Sequence, residues 1–248
     1  MDLNGKKEVD FTVPLSPSTT ATVKILVPAI RSQGLNLLPW ASTYVLAGLL
    51  HRLDIQPPPP SDDSEVPILE LGAGIGLVGL VASMLWNQRA VLTDLADIVP
   101  GLTANIEANA VLLKQHQGSA SAGALDWNEP DRLVLDGGRV LEAGSSKANV
   151  IIAADTIYDE DHPKMLVGTI SRWLARGPQA RLVITYPLRV AYLEQIRELW
   201  ELLEGVGLVA VGEGKEEAEE IGGASWDDEK LCEWSVWKWK DSEVNMEG

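Results

Sequence analysis

The chain has 248 residues, 46% of them hydrophobic, which suits one large α/β domain with a sizeable core and excludes a disordered chain. A formal net charge of −16, with no basic patch in the sequence, argues against direct binding to a nucleic-acid backbone. The single cysteine, Cys232, excludes an intramolecular disulfide and a Cys-rich zinc site, and no metal centre is expected.

Met1–Lys7 lacks the apolar run of a signal peptide. The longest apolar stretches, near 77–86 and 148–154, are too short to span a bilayer. The expectation is a soluble cytoplasmic or nuclear protein, cytoplasmic by preference and monomeric by default, with no membrane partner.

Residues 8–28 are rich in Val, Thr and Pro and read as a β-hairpin broken at Pro14 to Ser18. Residues 39–53 read as a helix, with Pro39 in its first turn and Val45, Leu46, Leu49, Leu50 and Leu53 on one side. Gln56 to Asp63 is a stiff, proline-rich connector. Strand and helix signals then alternate. Strands are predicted at 66–71, 90–94, 122–125, 148–154 and 180–186, with helices at 76–86, 98–113, 162–175 and 190–205. The stretch 131–147, with Gly137-Gly138 and Gly144-Ser145-Ser146, reads as a surface insertion. Strands at 208–211 and 231–239 close the chain. The acidic, glycine-rich segment between them, near 212–230, reads as a mobile loop.

Such alternation predicts a Rossmann-like α/β fold: a seven-stranded, mostly parallel sheet with helices on both faces, a C-terminal antiparallel hairpin and a short N-terminal β-hairpin. The expected division is 1–34 for the N-terminal hairpin, 35–240 for the main domain and 241–248 for a tail.

The apolar strand at 66–71 runs into Glu70-Leu71-Gly72-Ala73-Gly74-Ile75-Gly76 and then into a helix. Glycine permits a tight turn and lets a ligand touch the backbone, and the following helix presents unpaired N–H groups. Two cofactors fit. Gly74-x-Gly76-x-x-Gly79, with Asp94 20 residues after Gly74, matches a dinucleotide fingerprint. Glu70-x-Gly72-x-Gly74-x-Gly76 matches the loop of S-adenosylmethionine-dependent methyltransferases.

In an open parallel sheet, ligands bind beyond the carboxyl ends of the strands. Four successive strands end in acids: Glu70, Asp94, Asp126 (followed by Trp127) and Asp155 (followed by Tyr158). Acids crowding that edge would repel a pyrophosphate. They suit a cofactor that carries a sulfonium and an ammonium instead. Asp94 is placed to accept the ribose hydroxyls and Asp126 the adenine amino group. Trp127 offers a flat face to the ring.

Here the chain resembles the seven-β-strand protein-lysine methyltransferases, the fungal relatives of the elongation-factor methyltransferases in particular. The matching segments are Leu38-Pro39-Trp40-Ala41-Ser42, Ile68–Val78, Leu92-Thr93-Asp94, Leu125-Asp126-Trp127 and Ala153-Ala154-Asp155-Thr156-Ile157-Tyr158. They span roughly residues 35–240. The Asp-x-x-Tyr element after the fourth core strand is the most specific of them. The resemblance implies that Trp40 packs on S-adenosyl-L-methionine. It also implies that the backbone of Gly72, Ala73 and Gly74 cradles the cofactor, with Gly76 closing the loop beside Glu70. Asp94 and Trp127 then hold the adenosine, Ala154 is the small residue before the acid, and Asp155 and Tyr158 form the acceptor site. The long loop 131–147, the N-terminal hairpin and the acidic segment match no family motif.

A protein-lysine N-methyltransferase acting on a translation elongation factor is the leading expectation. A small-molecule N-methyltransferase of the nicotinamide type, a cofactor-binding protein without activity, and an oxidoreductase are the alternatives. Arg189 reads either as a residue of the substrate loop or as a surface cation, and His162 as structural.

Overall fold

The computed structural model describes residues 8–26, 41–59, 66–218 and 230–244. Its centre is a nine-stranded sheet. The parallel part comprises β3 (Ile68–Leu71), β4 (Arg89–Asp94), β5 (Ser119–Ala124), β8 (Val150–Ala154) and β9 (Arg181–Pro187). In space the order runs β5-β4-β3-β8-β9. The chain builds outward from β3 in one direction, then returns to build outward in the other. The reversal between β3 and β8 is the crevice where such sheets bind ligands.

Strand residues sort by parity onto two faces, as the two-residue period requires. Ile68, Leu92, Val150 and Ile152 pack with α1 (Ala41–Leu49), α2 (Leu77–Trp86) and α3 (Val99–Ala108). Leu69, Leu71, Val91, Ile151 and Ala153 pack with α5 (His162–Trp173) and α6 (Leu193–Gly205) on the other face. Burial on both faces explains why these strands read as continuous apolar runs.

The expected C-terminal hairpin is present. β10 (Leu208–Glu217) pairs antiparallel with β11 (Leu231–Trp239), and β11 pairs antiparallel with β9. β10 runs further into the acidic segment than the sequence suggests. Glu213, Glu216 and Glu217 are strand residues facing Ser235, Cys232 and Leu231, so the loop expected from 212 is corrected up to Glu217. Residues 219–229 lie outside the described part.

The stretch 131–147 is not a plain insertion. β6 (Arg132–Leu135) and β7 (Val140–Glu142) form a hairpin that pairs antiparallel with β5 and extends the sheet from seven strands to nine. Gly137 (φ +98°) and Gly138 (φ +87°) make its turn. Two successive positive φ values are what a tight hairpin turn demands. Leu133, Leu135 and Leu141 anchor it in the core.

The N-terminal hairpin, β1 (Glu8–Ser16) with β2 (Thr19–Leu26), shares the main core: Phe11, Val13, Ala21, Val23 and Ile25 are buried in it. Two asparagines fasten it. Asn109 breaks the long helix expected over 98–113 into α3 and α4 (Ala110–Gln115). Its Nδ2 donates to the Lys24 carbonyl (2.6 Å), and its Oδ1 accepts the Lys24 N–H (2.9 Å). Asn105 Oδ1 accepts the Leu26 N–H (2.8 Å), while its Nδ2 donates to the Ile75 carbonyl (2.9 Å) in the glycine loop. One buried side chain thus ties the hairpin to the loop.

Candidate active site

The loop leaving β3 turns on three glycines in the left-handed region: Gly72 (φ +63°), Gly74 (φ +55°) and Gly76 (φ +79°). Their surroundings differ. A methyl group on Gly76 would sit 2.6 Å from Leu92 Cδ2, and one on Gly72 would sit 3.1 Å from Thr156 Cγ2 and 3.3 Å from the Trp127 ring. A methyl on Gly74 would meet no protein atom within 4 Å. Packing accounts for Gly72 and Gly76, whereas Gly74 presents its backbone to open space.

Asp94 holds this loop in place. Its Oδ2 accepts the Gly74 N–H (2.8 Å) and its Oδ1 the Leu95 N–H (2.8 Å). Burial pushes its carboxyl up, and those two N–H groups pull it back toward ionisation. A carboxylate offers about four acceptor positions, so two backbone bonds do not exhaust it.

Glu70 does not face the crevice, so the expected row of four edge acids becomes three. The residue is buried, and its Oε2 accepts the Gly79 N–H (3.0 Å) in the first turn of α2. Its carboxyl is pushed up to about 8, first by burial and further by Asp94, against the Gly79 bond. It enters neutral pH mostly protonated, and its visible work is to join strand to helix.

Asp126 is exposed, with Oδ1 accepting from the Asn128 N–H (2.9 Å) and Nδ2 (3.0 Å). It borders a cleft of about 530 Å³ lined also by Leu95, Ala96 and Ala124, on the side where the sequence puts the adenine. Trp127 is half-buried, with its ring against Gly72. Trp40 lies outside the described residues.

At the end of β8, Ala154 is buried, and the next residue, Asp155, is a non-glycine residue at φ +57°. A left-handed aspartate costs about 1 kcal/mol or more, and such strain gathers at functional positions. The strand network fixes it: the Asp155 N–H donates to the Thr185 carbonyl on β9 (2.9 Å). Its carboxylate is gripped by Arg189, Nη1 to Oδ1 at 2.7 Å and Nη2 to Oδ2 at 3.1 Å, with side chains only 15% and 4% exposed. Arg189 is therefore not a surface cation. The pair is separated by 34 residues in sequence, and only the pairing of β8 with β9 brings it together.

Tyr158 is 45% exposed and meets the His162 ring edge-on at 4.4 Å. His162 in turn meets Trp127 edge-on at 5.7 Å, and its Nδ1 lies 2.9 Å from the Thr156 carbonyl. Burial pushes the imidazole down and so keeps it neutral, with Nδ1 placed to donate to that carbonyl. Burial, then the charges of Asp94, Asp155 and Asp159, push the Tyr158 hydroxyl up. His162 is thus structural in a specific sense: it bridges the expected adenosine residue Trp127 and the expected acceptor residue Tyr158. The sequence reading missed that link and missed Thr156, whose buried Oγ1 has no hydrogen-bond partner among the described residues.

These features fit S-adenosylmethionine. Gly74 leaves room beside its backbone, Asp94 keeps acceptor capacity, and the buried Thr156 hydroxyl has no hydrogen-bond partner among the described residues. The sheet order, the glycine loop and the acid at the next strand end are those expected of a methyltransferase. The chain belongs to the lysine methyltransferase family, which matches residues 25–198, and the family's cofactor is S-adenosyl-L-methionine.

Among curated relatives, the protein-lysine N-methyltransferase rrg1 of Schizosaccharomyces pombe is 31% identical, over 90% of this chain and 69% of its own length. The protein-lysine N-methyltransferase EFM2 of Saccharomyces cerevisiae is 30% identical, over 83% of this chain, which spans about half (49%) of that relative. Among solved structures, the glycopeptide N-methyltransferase MtfA complexed with S-adenosylmethionine aligns over 72% of this chain and 83% of its own, at 12% identity and a TM-score of 0.47.

Proposed function

We propose that this chain methylates a lysine ε-amine of a protein, with a translation elongation factor as the first candidate substrate, and that it works as a cytoplasmic monomer. The observation that carries the reading is the buried, strained Asp155 beside Tyr158, at the end of β8, which pairs with the strand that leads into the glycine loop. Family membership supports a lysine acceptor, and the fungal relatives' names support the choice of candidate.

When bound, the cofactor supplies a methyl group on a cationic sulfur. The protein's task is to hold the acceptor amine in line and uncharged. A free lysine has a pKa of ~10.4, so its neutral form costs roughly 4 kcal/mol near pH 7. Removing the side chain from water disfavours the ammonium and offsets part of that cost. Asp155 orients the amine through an N–H. Tyr158, protonated at working pH, forms a polar wall of the approach. Gly74 and Asp94 fix the donor side, and Trp127 gives a face to the adenine.

The test is incubation with methyl-labelled S-adenosylmethionine and purified elongation factors, alongside a methyl-poor cell extract. A labelled elongation factor supports the reading. A labelled small molecule overturns it. Asp155→Asn keeps the size of the side chain and should lower transfer by about 100-fold or more. Cofactor affinity, measured by calorimetry, should stay within about threefold. An equal loss of cofactor binding would make Asp155 a donor-side residue.

A further inference from the structure

We infer that Arg189 is a positioning residue of the acceptor site: its guanidinium neutralises Asp155, so that the incoming lysine meets an oriented acceptor without a bare negative charge. The inference rests on the proposed lysine acceptor, and concerns a residue to which neither the family match nor the relatives assign a role.

The chemistry sets two opposing demands. An acceptor carboxylate helps to aim an N–H bond. An uncompensated carboxylate also favours the ammonium form, which has no lone pair to attack with. Arg189 resolves the conflict. Its planar fork binds both Asp155 oxygens, at 2.7 and 3.1 Å, and it remains charged at any working pH. The two-point contact also fixes the orientation of the carboxylate plane. The pairing is nearly sealed from solvent, so salt and water screen it little.

Among the described residues, the ionisable groups that act on this segment carry no positive charge. Tyr158 and Asp159 follow Asp155 on the same segment, and Asp94 faces in from the end of β4. His162, on α5, is held neutral by burial. Every neighbour in that set is anionic or neutral, which makes Arg189 the compensating cation among them.

Two measurements test this. The first uses n-butylamine, a lysine side-chain surrogate charged at pH 7, titrated into protein saturated with S-adenosylhomocysteine. Arg189→Gln should bind butylammonium several-fold more tightly than the unaltered chain, since it exposes the Asp155 charge. Arg189→Lys should bind it no better than the unaltered chain. The second is the pH dependence of kcat/KM with the labelled elongation factor. The acid limb should move up by about one pH unit in Arg189→Gln and stay near its place in Arg189→Lys, with kcat reduced by loss of the fork. A guanidinium that merely supports the fold would lower activity at all pH values without moving the limb. Unchanged or weaker butylammonium binding in Arg189→Gln overturns the proposal. If butylammonium separates the variants as expected but no protein is labelled, the reading of the substrate fails and the assignment of Arg189 stands.

Discussion

Glu70, in β3, and Gly74, in the loop that leaves it, make opposite demands on a variant. Glu70 has a carboxyl raised to about 8 in the folded chain and an ordinary value when unfolded, so the folded state holds the extra proton between roughly pH 4.5 and 8. Stability therefore falls as pH rises through that window. Glu70→Gln keeps an oxygen for the Gly79 N–H and removes the penalty. Its melting temperature should exceed that of the unaltered chain, by a margin that grows from pH 5 to pH 8. A margin independent of pH would mean that Glu70 is not titrating there. Gly74→Ala, by contrast, meets no protein atom but must adopt φ +55°. It should cost about 1–2 kcal/mol of stability. S-adenosylmethionine affinity should fall as well, at least tenfold by calorimetry, because the methyl enters the space left for the cofactor.

Helix and hairpin junctions show which elements depend on long-range partners. Asn105 accepts from Leu26 and donates to Ile75, so Asn105→Ala should lower stability by about 1–3 kcal/mol through the buried groups it abandons. Hydrogen exchange should speed up in both β2 and the glycine loop. Acceleration confined to β2 would show that the loop does not depend on the asparagine. The parallel strands were legible because burial on both faces makes them continuous apolar runs, and the glycine loop because its spacing forces its geometry. The β6–β7 hairpin was misread, although Asp136-Gly137-Gly138 between apolar residues is itself a hairpin signal; glycine was weighed as a breaker rather than as a turn former. The Arg189–Asp155 contact was not legible, since residue spacing along the chain carries no information about which strand ends meet. The inward turn of Glu70 escaped for a related reason: its neighbour Gly79 lies a helical turn beyond the loop.

At the scale of the whole molecule, the charge of −16 sets a long-range field that draws in a cationic partner. Labelling of a basic protein substrate should weaken as salt rises from about 50 to 500 mM, chiefly through KM, because the Debye length contracts several-fold. A kcat effect without a KM effect would place the salt sensitivity inside the site instead. None of the described helices is long and apolar enough to cross a membrane. The same acidity acts on the sheet's own border. Among the described residues the sheet ends on β7, three residues long, and on β10, ten residues long. A border strand as long as β10 is a template onto which a second chain can zip. A register shift between Ala210 and Gly212 bends it, and Glu213, Lys215 and Glu217 stand exposed along it. Two copies approaching edge to edge would have to strip water from these charged side chains, which disfavours that pairing.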